Sequence, residues 1–283
     1  GHYHGHSDSF LAAGGSGVAN QGLSDSAGVP DAAVADTVVA PFNVVPDLDE
    51  DTAVVVVEPV AANMGLVEPE PGFLAALRPA CDAHGVLLCF DEVITGFRLA
   101  HGGAEEWSGV RPDLWCFGKV IGGGLPVGAF AGSREVMSHL APLGPVYQAG
   151  TLSGNPLATA AGLAALAQLD RPAYAELIRI ATRLADGMRS AIAAAGLAVQ
   201  VPRVGPLVGL FFAEQPVRTF DDAREAAGNG RYAPFFHAML RRGVALAPGP
   251  YEAIFPSLAH DDAIVDRTIE IAAEAAAEVA AAS

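Results

Sequence analysis

Runs of apolar, β-branched residues predict a buried sheet in the first half of the chain. The first run, AVVVVEPV, begins at Ala53 and lacks polar–apolar alternation, which favours a strand buried on both faces. A helix is predicted over 72–84, where apolar residues recur at helical spacing, and Gly85 ends it. Further strands are predicted at Val86–Phe90, Leu114–Phe117 and Val127–Ala131. The order of strand, helix and strand indicates a parallel sheet with helical crossovers.

The second half of the chain is dominated by alanine-rich helical patterns. Long helices are predicted over 156–169 and 173–195. Shorter elements follow them: strands near 197–202 and 207–213, a helix near 231–242, a strand at 244–247 and a terminal helix over 261–281. We therefore expect a large domain over residues 1–170 and a smaller C-terminal α/β domain over 171–283.

The charge balance excludes several classes of function. Across 283 residues there are 16 Lys+Arg against 32 Asp+Glu, a formal net charge of −16, and the sequence pI is about 4.7. Without a run of basic residues, this argues against binding to nucleic acid or to an anionic membrane surface. No apolar run reaches the roughly 18 residues of a membrane span, and no signal-peptide pattern is present. Three cysteines without a CxxC motif, Cys81, Cys89 and Cys116, favour a reducing cytoplasm.

Lys119 is the only lysine in the sequence, because every other Lys/Arg position is an arginine. An arginine guanidinium stays protonated and is no amine nucleophile, whereas a lysine amine can be tuned for that role. Any amine chemistry carried by a side chain of this protein therefore has one candidate. Coding bias towards arginine is the alternative explanation of this composition.

Polar residues follow three of the predicted strands. Glu58 follows the first strand, the pair Asp91 and Glu92 follows the second, and Lys119 follows the third. Since ligands of open α/β sheets bind beyond the carboxyl ends of the strands, these residues are expected at one site. The glycines of GKVIGGGLPVG, around Lys119, allow another group to approach the backbone closely. Helix capping is the alternative role of the acidic pair.

A turn before the first long helix carries groups suited to a phosphate. In the stretch 144–156, Gly150 and Thr151 precede Ser153 and Asn155 at the start of that helix. Hydroxyl and backbone N–H donors at a helix N-terminus bind anions well. The same residue types also form an ordinary helix N-cap, which is the alternative interpretation.

An aromatic and imidazole cluster lies near the start of the chain, at Tyr3, His4 and His6. The HxHxH spacing without cysteine or acidic partners is a weak metal pattern, so we expect no metal and favour stacking on a flat ring. A lysine, a strand-end carboxylate, a turn suited to a phosphate and an aromatic ring that can stack are together typical of a pyridoxal phosphate site. There the lysine forms a Schiff base with the aldehyde, and the carboxylate keeps the ring nitrogen protonated.

Several segments resemble the class III aminotransferases, a family of fold-type I pyridoxal phosphate enzymes. They are FDEVITGFR around Asp91, FGKVIGGGLPVGAF around Lys119 and GPVYQAGTLSGNP around Gly150, and Lys119 lies 28 positions after Asp91 (119 − 91 = 28). More narrowly, YHGHSD, SGVANQGLSDSAGVP, EPVAANMGLV and PYEAIF are similar to the glutamate-1-semialdehyde 2,1-aminomutase family. The similarity extends from Tyr3 to about His260.

The resemblance implies roles for residues around the cofactor. Lys119 would be the catalytic Schiff-base lysine and would move a proton between substrate carbons. Asp91 would pair with the pyridine nitrogen. Val93 and Tyr3 would pack on the two faces of the ring, and Asn63 would lie near its 3-hydroxyl.

The resemblance also implies a homodimer and a small amino-aldehyde or amino-acid substrate. Gly150 and Thr151 would reach the phosphate of the neighbouring subunit's cofactor. Tyr147 and Glu252 would lie near the substrate, and Ser16 would belong to a loop that gates the site.

The implied fold is α/β, a fold-type I transferase with a mostly parallel sheet flanked by helices. Compared with the family, the chain lacks an N-terminal third, so the cofactor-binding large domain is expected to be incomplete. The implied activity is that of an isomerase: conversion of glutamate-1-semialdehyde to 5-aminolevulinate, in porphyrin biosynthesis, by intramolecular amino transfer with pyridoxal or pyridoxamine phosphate. The alternatives are a class III aminotransferase with separate amino donor and acceptor, and an inactive truncated fragment.

Overall fold

The computed structural model describes residues 1–12 and 26–282, and the chain forms two compact units. Unit 1 comprises Gly1–Val44, Val60–Glu70 and Ala175–Ser283, and unit 2 comprises Val45–Pro59 and Pro71–Tyr174. The predicted boundary at residue 170 lies close to the last change of unit, after Tyr174. However, the predicted large domain included 1–44 and 60–70, which the structure groups with the C-terminal segment. The division into a large and a small domain stays a prediction.

The described residues form helices and short strands in alternation. The helices are α1 (Asp31–Val34), α2 (Phe73–His84), α3 (Gly103–Ser108), α4 (Arg134–Met137), α5 (Pro156–Leu166), α6 (Arg171–Ala194), α7 (Phe220–Gly228), α8 (Tyr232–Arg241) and α9 (Asp262–Ala282), with 3₁₀ helices at Asp8–Phe10 and Lys119–Gly122. The strands are β1 (Val54–Val57), β2 (Leu87–Glu92), β3 (Leu114–Phe117), β4 (Ala129–Gly132), β5 (Arg203–Val204) and β6 (Leu207–Val208). None of these helices is both long and apolar enough to cross a membrane.

Unit 2 is built on a sheet of strand order β1-β2-β3-β4. The first three strands are parallel, with Val57 opposite Phe90 and Asp91 opposite Cys116, whereas β4 runs antiparallel to β3. The predicted mostly parallel sheet is confirmed. Strand β2 is buried along nearly its whole length, whereas β1 is buried only at Val57 and Val54 is 40% exposed, so the predicted burial of β1 on both faces is wrong.

Helix α2 confirms the helix predicted over 72–84. Gly85 ends it in a left-handed conformation, with a φ of 68°, which a residue with a Cβ adopts only at a cost. The Val86 N–H then donates to the Cys81 carbonyl at 3.0 Å, and the chain continues into β2. Pro79 lies inside the helix and removes one backbone donor without ending it.

Unit 1 has an apolar core formed by residues of α6, α8 and α9 and of the segment 197–212. The rings of Phe212 and Phe235 are buried within it and meet edge-on, with centroids 5.2 Å apart. On the surface, the Arg183 guanidinium donates to both carboxylate oxygens of Asp266, at 2.9 and 2.8 Å. Because water screens this exposed pair, we attribute most of the stability of unit 1 to its buried apolar area.

The short strands of unit 1 differ from the prediction. The strand predicted near 197–202 is wrong in position, because β5 lies at 203–204, where it pairs antiparallel with β6. Pro202 has no N–H and interrupts the ladder at this point, although its carbonyl accepts from the Gly209 N–H at 2.8 Å. The strand predicted near 207–213 is reduced to β6, and an isolated bridge joins Gln200 to Phe211.

The strand predicted at 244–247 is wrong, because the helix before it uses the hydrogen-bonding groups of this segment. The Val244 N–H donates to the Met239 carbonyl at 3.1 Å at the end of α8, and the Tyr232 hydroxyl donates to the Ala247 carbonyl at 2.7 Å. Val244 and Leu246 nevertheless pack against the core, which accounts for the strand-like apolar pattern.

Helix α7 was not predicted, although the sequence contains a signal for its start. The Thr219 side chain accepts a hydrogen bond from the Asp222 N–H at 3.2 Å, and the Asp222 carboxylate accepts one from the Thr219 N–H at 2.9 Å. This reciprocal pair is a capping box, a recognised helix start. Only Ala223 and Ala226 are buried in α7, so the helix lacks a strong apolar stripe.

Helix α5 lies against the 3₁₀ helix that begins with Lys119. A Cβ at Gly162 would overlap the carbonyl oxygen of Ile121, and a Cβ at Gly123 would overlap the carbonyl oxygen of Ala161. Two glycines therefore allow direct backbone contact between the two elements, and this contact fixes the turn that carries the lysine.

Replacing Gly162 by alanine tests this contact. Gly162→Ala is expected to lower the free energy of unfolding by about 1–3 kcal/mol, because the added methyl group pushes α5 away from the turn. Urea denaturation measures the effect. The matched control is Gly228→Ala in α7, where a Cβ meets no atom within 4 Å and no loss is expected. If Gly162→Ala is as stable as Gly228→Ala, the contact accommodates the added methyl group without loss of stability and the prediction is wrong.

His2 lies in an aromatic cluster of unit 1. Its ring packs edge-on against Phe42, with centroids 4.9 Å apart, and against His4 at 5.6 Å. Burial, together with the charge of His4, holds the pKa of His2 well below its usual value. The folded state therefore favours the neutral imidazole.

The lowered pKa of His2 predicts a loss of stability in acid. Below about pH 6.5 the unfolded chain takes up a proton on His2, whereas the folded chain does not, so the free energy of unfolding falls as the pH is lowered. Between pH 7 and pH 5 this residue contributes a slope of at most about 1.4 kcal/mol per pH unit. Urea denaturation across that range should show His2→Phe losing this part of the slope. The exposed His84→Gln is the control, and an unchanged slope in His2→Phe would contradict the prediction.

Candidate functional site

Lys119 stands at the point where β3 ends and the 3₁₀ helix begins. It is exposed and has a φ of 47°, in the left-handed region that residues with a side chain seldom adopt. Such conformations are held by the surrounding structure and cluster at functional sites. Here the contact of the 3₁₀ helix with α5 supplies that support.

The lysine opens onto a surface depression of unit 2. The depression has a volume of about 600 Å³ and is lined by Lys119, Val120, Gly124, Leu125, Pro126 and Val127. These residues belong to the glycine-rich stretch that the sequence predicted to allow close approach of another group. The only lysine therefore lies beside space that a small molecule can enter.

Asp91 lies at the end of the neighbouring strand β2. It is 6% exposed, and its Oδ1 accepts a hydrogen bond from the Val93 N–H at 3.0 Å. Because Asp91 is opposite Cys116 in the parallel pairing, Lys119 follows three positions beyond that partner at the same edge of the sheet. The structure thus brings the predicted acid and the predicted lysine to neighbouring strand ends.

Val93 lies close to the lysine as well. It is half-buried, and a Cβ at Gly118 would be 3.2 Å from Val93 Cγ1, so the valine packs beside the residue that precedes Lys119. Gly118 is the first glycine of the GKVIGGGLPVG stretch. Its missing side chain leaves room for Val93 between the two strand ends.

Glu92 is almost fully buried, with 1% of its surface exposed. Its Oε2 accepts hydrogen bonds from the Thr95 hydroxyl at 3.1 Å and from the Ala104 N–H at 2.7 Å, near the start of α3. Burial raises the pKa of Glu92, and these hydrogen bonds only partly oppose the shift. The capping role weighed for the acidic pair therefore applies to Glu92. Glu58, at the end of β1, is also buried.

The turn predicted to bind phosphate starts α5. The Asn155 side chain accepts a hydrogen bond from the Ala158 N–H at 2.9 Å, so the ordinary N-cap interpretation is confirmed for this residue. Gly150 and Thr151 precede it in an exposed turn, and Tyr147 is 83% exposed. A phosphate contact by Gly150 and Thr151 stays a prediction.

Unit 1 holds Asn63 and Glu252, which one backbone hydrogen bond brings together. Asn63 is buried, and two residues later Gly65 has a φ of 81° and donates its N–H to the Tyr251 carbonyl at 2.7 Å. Glu252 is the next residue after that carbonyl. The ring of Phe211 occupies the place of a side chain at Gly65, so only glycine fits there. Apart from the glycine itself, no local pattern indicates this pairing.

The remaining predicted residues lie near the start of the chain. Tyr3 and His4 are half-buried in unit 1, His4 packs edge-on against Phe10 at 5.9 Å, and His6 is exposed. Among the described residues, no three His, Cys, Asp or Glu side chains are grouped as a metal site requires. Ser16 lies outside the described residues. The roles predicted for all of these residues stay predictions.

Comparison with known proteins identifies the relatives of this chain. The family model of aminotransferase class III matches residues 1–275. A glutamate-1-semialdehyde 2,1-aminomutase from Desulfosudis oleivorans is 51% identical over 278 residues, which is 95% of this chain and 65% of that relative. The chain thus spans about two thirds of the length of the curated relatives that it matches. The resemblance inferred from the motifs is confirmed.

Solved structures show the same fold. An omega-transaminase from Sphaerobacter thermophilus superposes with a TM-score of 0.88 at 31% identity, covering 99% of this chain and 67% of that one. A glutamate-1-semialdehyde aminomutase from Pseudomonas aeruginosa in complex with PMP has a TM-score of 0.81 at 27% identity and covers 98% and 64%. The fold is that of the fold-type I transferases, as predicted. The chain belongs to the class III aminotransferase family.

Proposed function

We propose that this chain carries the lysine site of an enzyme that converts glutamate-1-semialdehyde to 5-aminolevulinate by intramolecular amino transfer. The observation that carries the proposal is the placement of Lys119 and Asp91 at neighbouring strand ends, with the lysine in a constrained left-handed conformation. The curated relative at 51% identity, named as the aminomutase, supports the choice of reaction.

The residues at this edge fit a pyridoxal phosphate cofactor. Lys119 supplies an accessible amine, the buried Asp91 supplies carboxylate oxygens for the ring nitrogen, and Val93 supplies an apolar surface for one ring face. When bound, the cofactor supplies a ring that withdraws electrons from the substrate carbon. PMP, the amine form, is bound in the similar Pseudomonas aeruginosa structure.

The chain's own groups would then bind, orient and move protons. The Nζ of Lys119 takes a proton from one substrate carbon and returns it to the next, as a positioned general base and acid does. The carboxylate of Asp91 holds the ring in register with the lysine by charge pairing. Val93, which packs beside Gly118, would cover one face of the ring and exclude water from it.

The family resemblance assigns roles to further residues, and we carry these roles over as proposals. Asn63 would contact the 3-hydroxyl of the ring, and Tyr3 would cover its second face. Tyr147 and Glu252 would border the substrate, and Ser16 would belong to a gating loop, which matters because escape of a half-reacted substrate would leave the cofactor in the wrong form.

We also propose that the enzyme acts as a homodimer in the cytoplasm. Gly150 and Thr151 would reach the cofactor phosphate of a second copy. Around them unit 2 exposes a group of large apolar side chains, an arrangement typical of a protein interface. They are Leu143, Val146, Tyr147, Leu152, Leu157 and Leu163. Cys81, Cys89 and Cys116 are present as thiols, which suits a reducing compartment.

An aminotransferase with a separate amino donor and acceptor is the second candidate. It is supported by the structural similarity to the omega-transaminase, with a TM-score of 0.88. The third candidate named from the sequence, an inactive fragment, predicts neither label nor turnover. Labelling and turnover separate these three.

Reductive trapping tests the role of Lys119. Borohydride treatment with pyridoxal phosphate should attach one cofactor to the peptide that contains Lys119, and Lys119→Arg should lose the label because a guanidinium forms no Schiff base. Mass spectrometry of the peptides measures this. The double variant Lys119→Arg, Arg134→Lys moves the lysine to an exposed site and is the control for position. Label on a peptide without residue 119 would refute the assignment.

Turnover without an acceptor tests the reaction. The chain supplied with glutamate-1-semialdehyde and no added 2-oxo acid should form 5-aminolevulinate, because the amino group stays within one substrate, and Lys119→Arg should form none. Colorimetric detection of the product measures this. Turnover that requires a 2-oxo acid would favour the second candidate, and absence of both label and turnover would favour the third.

A further inference from the structure

Glu92 is a buried acid to which the proposed mechanism gives no part. It follows Asp91 in β2, so the alternation of a strand directs the two side chains to opposite faces of the sheet. Asp91 thereby faces the proposed ring, and Glu92 faces away from it. Burial of a second carboxylate beside Asp91 costs free energy unless hydrogen bonds to the protein replace those that the group makes to water.

The side chain and the main-chain carbonyl of Glu92 accept hydrogen bonds from the segment that follows β2. The side-chain Oε2 accepts from the Thr95 hydroxyl at 3.1 Å and from the Ala104 N–H at 2.7 Å, and the main-chain carbonyl accepts from the Gly96 N–H at 3.0 Å. Thr95 itself is 1% exposed. One residue therefore holds the beginning and the end of the loop from 93 to 104.

The space around this carboxylate is shaped to it. A Cβ at Gly103 would lie 2.5 and 2.7 Å from the two carboxylate oxygens of Glu92, and Gly103 has a φ of 63°. A side chain there would expel the acid from its place. Burial raises the pKa of Glu92, and two donors meet the single atom Oε2, so the contact has a defined hydrogen-bond geometry.

Val93 lies within the loop that Glu92 holds. Its N–H donates to Asp91 Oδ1 at 3.0 Å, and its side chain packs beside Gly118, directly before Lys119. Val93 is thus fixed from one side by Asp91 and from the other by the loop that Glu92 anchors. A shift of this loop changes the apolar surface offered to the ring while the lysine and Asp91 stay in place.

We propose that Glu92 is a positioning residue that fixes where the Val93 side chain lies beside Lys119 and thereby sets the tilt of the bound cofactor ring. This inference rests on the proposed function and names how the same site is held. It predicts that the hydrogen-bonding shape of the side chain is required at position 92 and that its negative charge is not.

Cofactor affinity and the circular dichroism of the bound ring test the proposal. Glu92→Ala should weaken pyridoxal phosphate binding about tenfold or more and change the dichroism band, because small misplacements of a binding surface are costly. Glu92→Gln keeps a hydrogen-bond acceptor in the same place, so its affinity for the cofactor should lie within about threefold of that of the unaltered chain and its dichroism band should be unchanged. Glu135→Ala, at an exposed acid of unit 2, is the control and should match the unaltered chain.

A second pair of variants avoids a large cavity and keeps the test open if Glu92→Ala does not fold. Thr95→Val removes one donor at constant shape and should weaken binding and change the band, and Thr95→Ser should retain both. In the cofactor-free chain, hydrogen exchange of the amides between 93 and 104 should be faster in Glu92→Ala and Thr95→Val.

The outcomes separate this inference from the proposed function. If the unaltered chain binds the cofactor but affinity and band are the same in Glu92→Ala, or in Thr95→Val where Glu92→Ala does not fold, Glu92 is a structural cap only and the inference is wrong. Faster exchange with unchanged binding leads to the same conclusion. Failure of Glu92→Gln to restore binding would also overturn it. If the unaltered chain binds no cofactor, the proposed function fails and the inference fails with it.

Discussion

The parallel pairing of β2 with β3 is the constraint on which the candidate site depends. It sets Asp91 opposite Cys116, so that the acid and Lys119 emerge at the same edge of the sheet from neighbouring strands. A slip by one residue would turn Asp91 to the opposite face and bring Glu92 in its place. Burial of both faces of β2 resists such a slip, because side chains of different size, such as those of Cys89 and Phe90, would have to exchange places in a packed interior. The chemistry of the site is thus secured by residues that take no part in it.

The sequence predicted best the elements whose pattern reflects burial. The limits of β3 were predicted without error, and α2 within one residue, because apolar runs and a terminal glycine mark both. The strand predicted at 244–247 was wrong because the side chains of this segment pack against the core while its backbone is hydrogen-bonded to the end of α8. Helix α7 was missed for the converse reason, since it is defined by the cap at Thr219 and buries little. Apolar pattern thus reports the packing of side chains and does not report where backbone hydrogen bonds go.

The candidate site was predictable in its residue types and only partly in its contacts. Strand-end position and the scarcity of lysine led to Asp91 and Lys119. The sequence left open whether the acidic pair caps a helix. The structure shows that the Glu92 carboxylate accepts a hydrogen bond from the Ala104 N–H, 12 positions away. The bond from Gly65 to Tyr251 joins residues 186 positions apart. Such contacts depend on the folded path of the chain, and no local pattern encodes them.

Helix α5 links two features that are separated along the sequence, the exposed turn of Gly150 and the turn that carries Lys119. Its cap, Asn155, stands beside the exposed turn of Gly150, and Gly162 touches the turn of Lys119 about 10 Å further along the axis. A helix of this length is stiff along its axis, so a displacement at one end moves the other by the same amount. The exposed turn of Gly150 and the turn of Lys119 are therefore both supported by the same helix, one at its cap and one along its side.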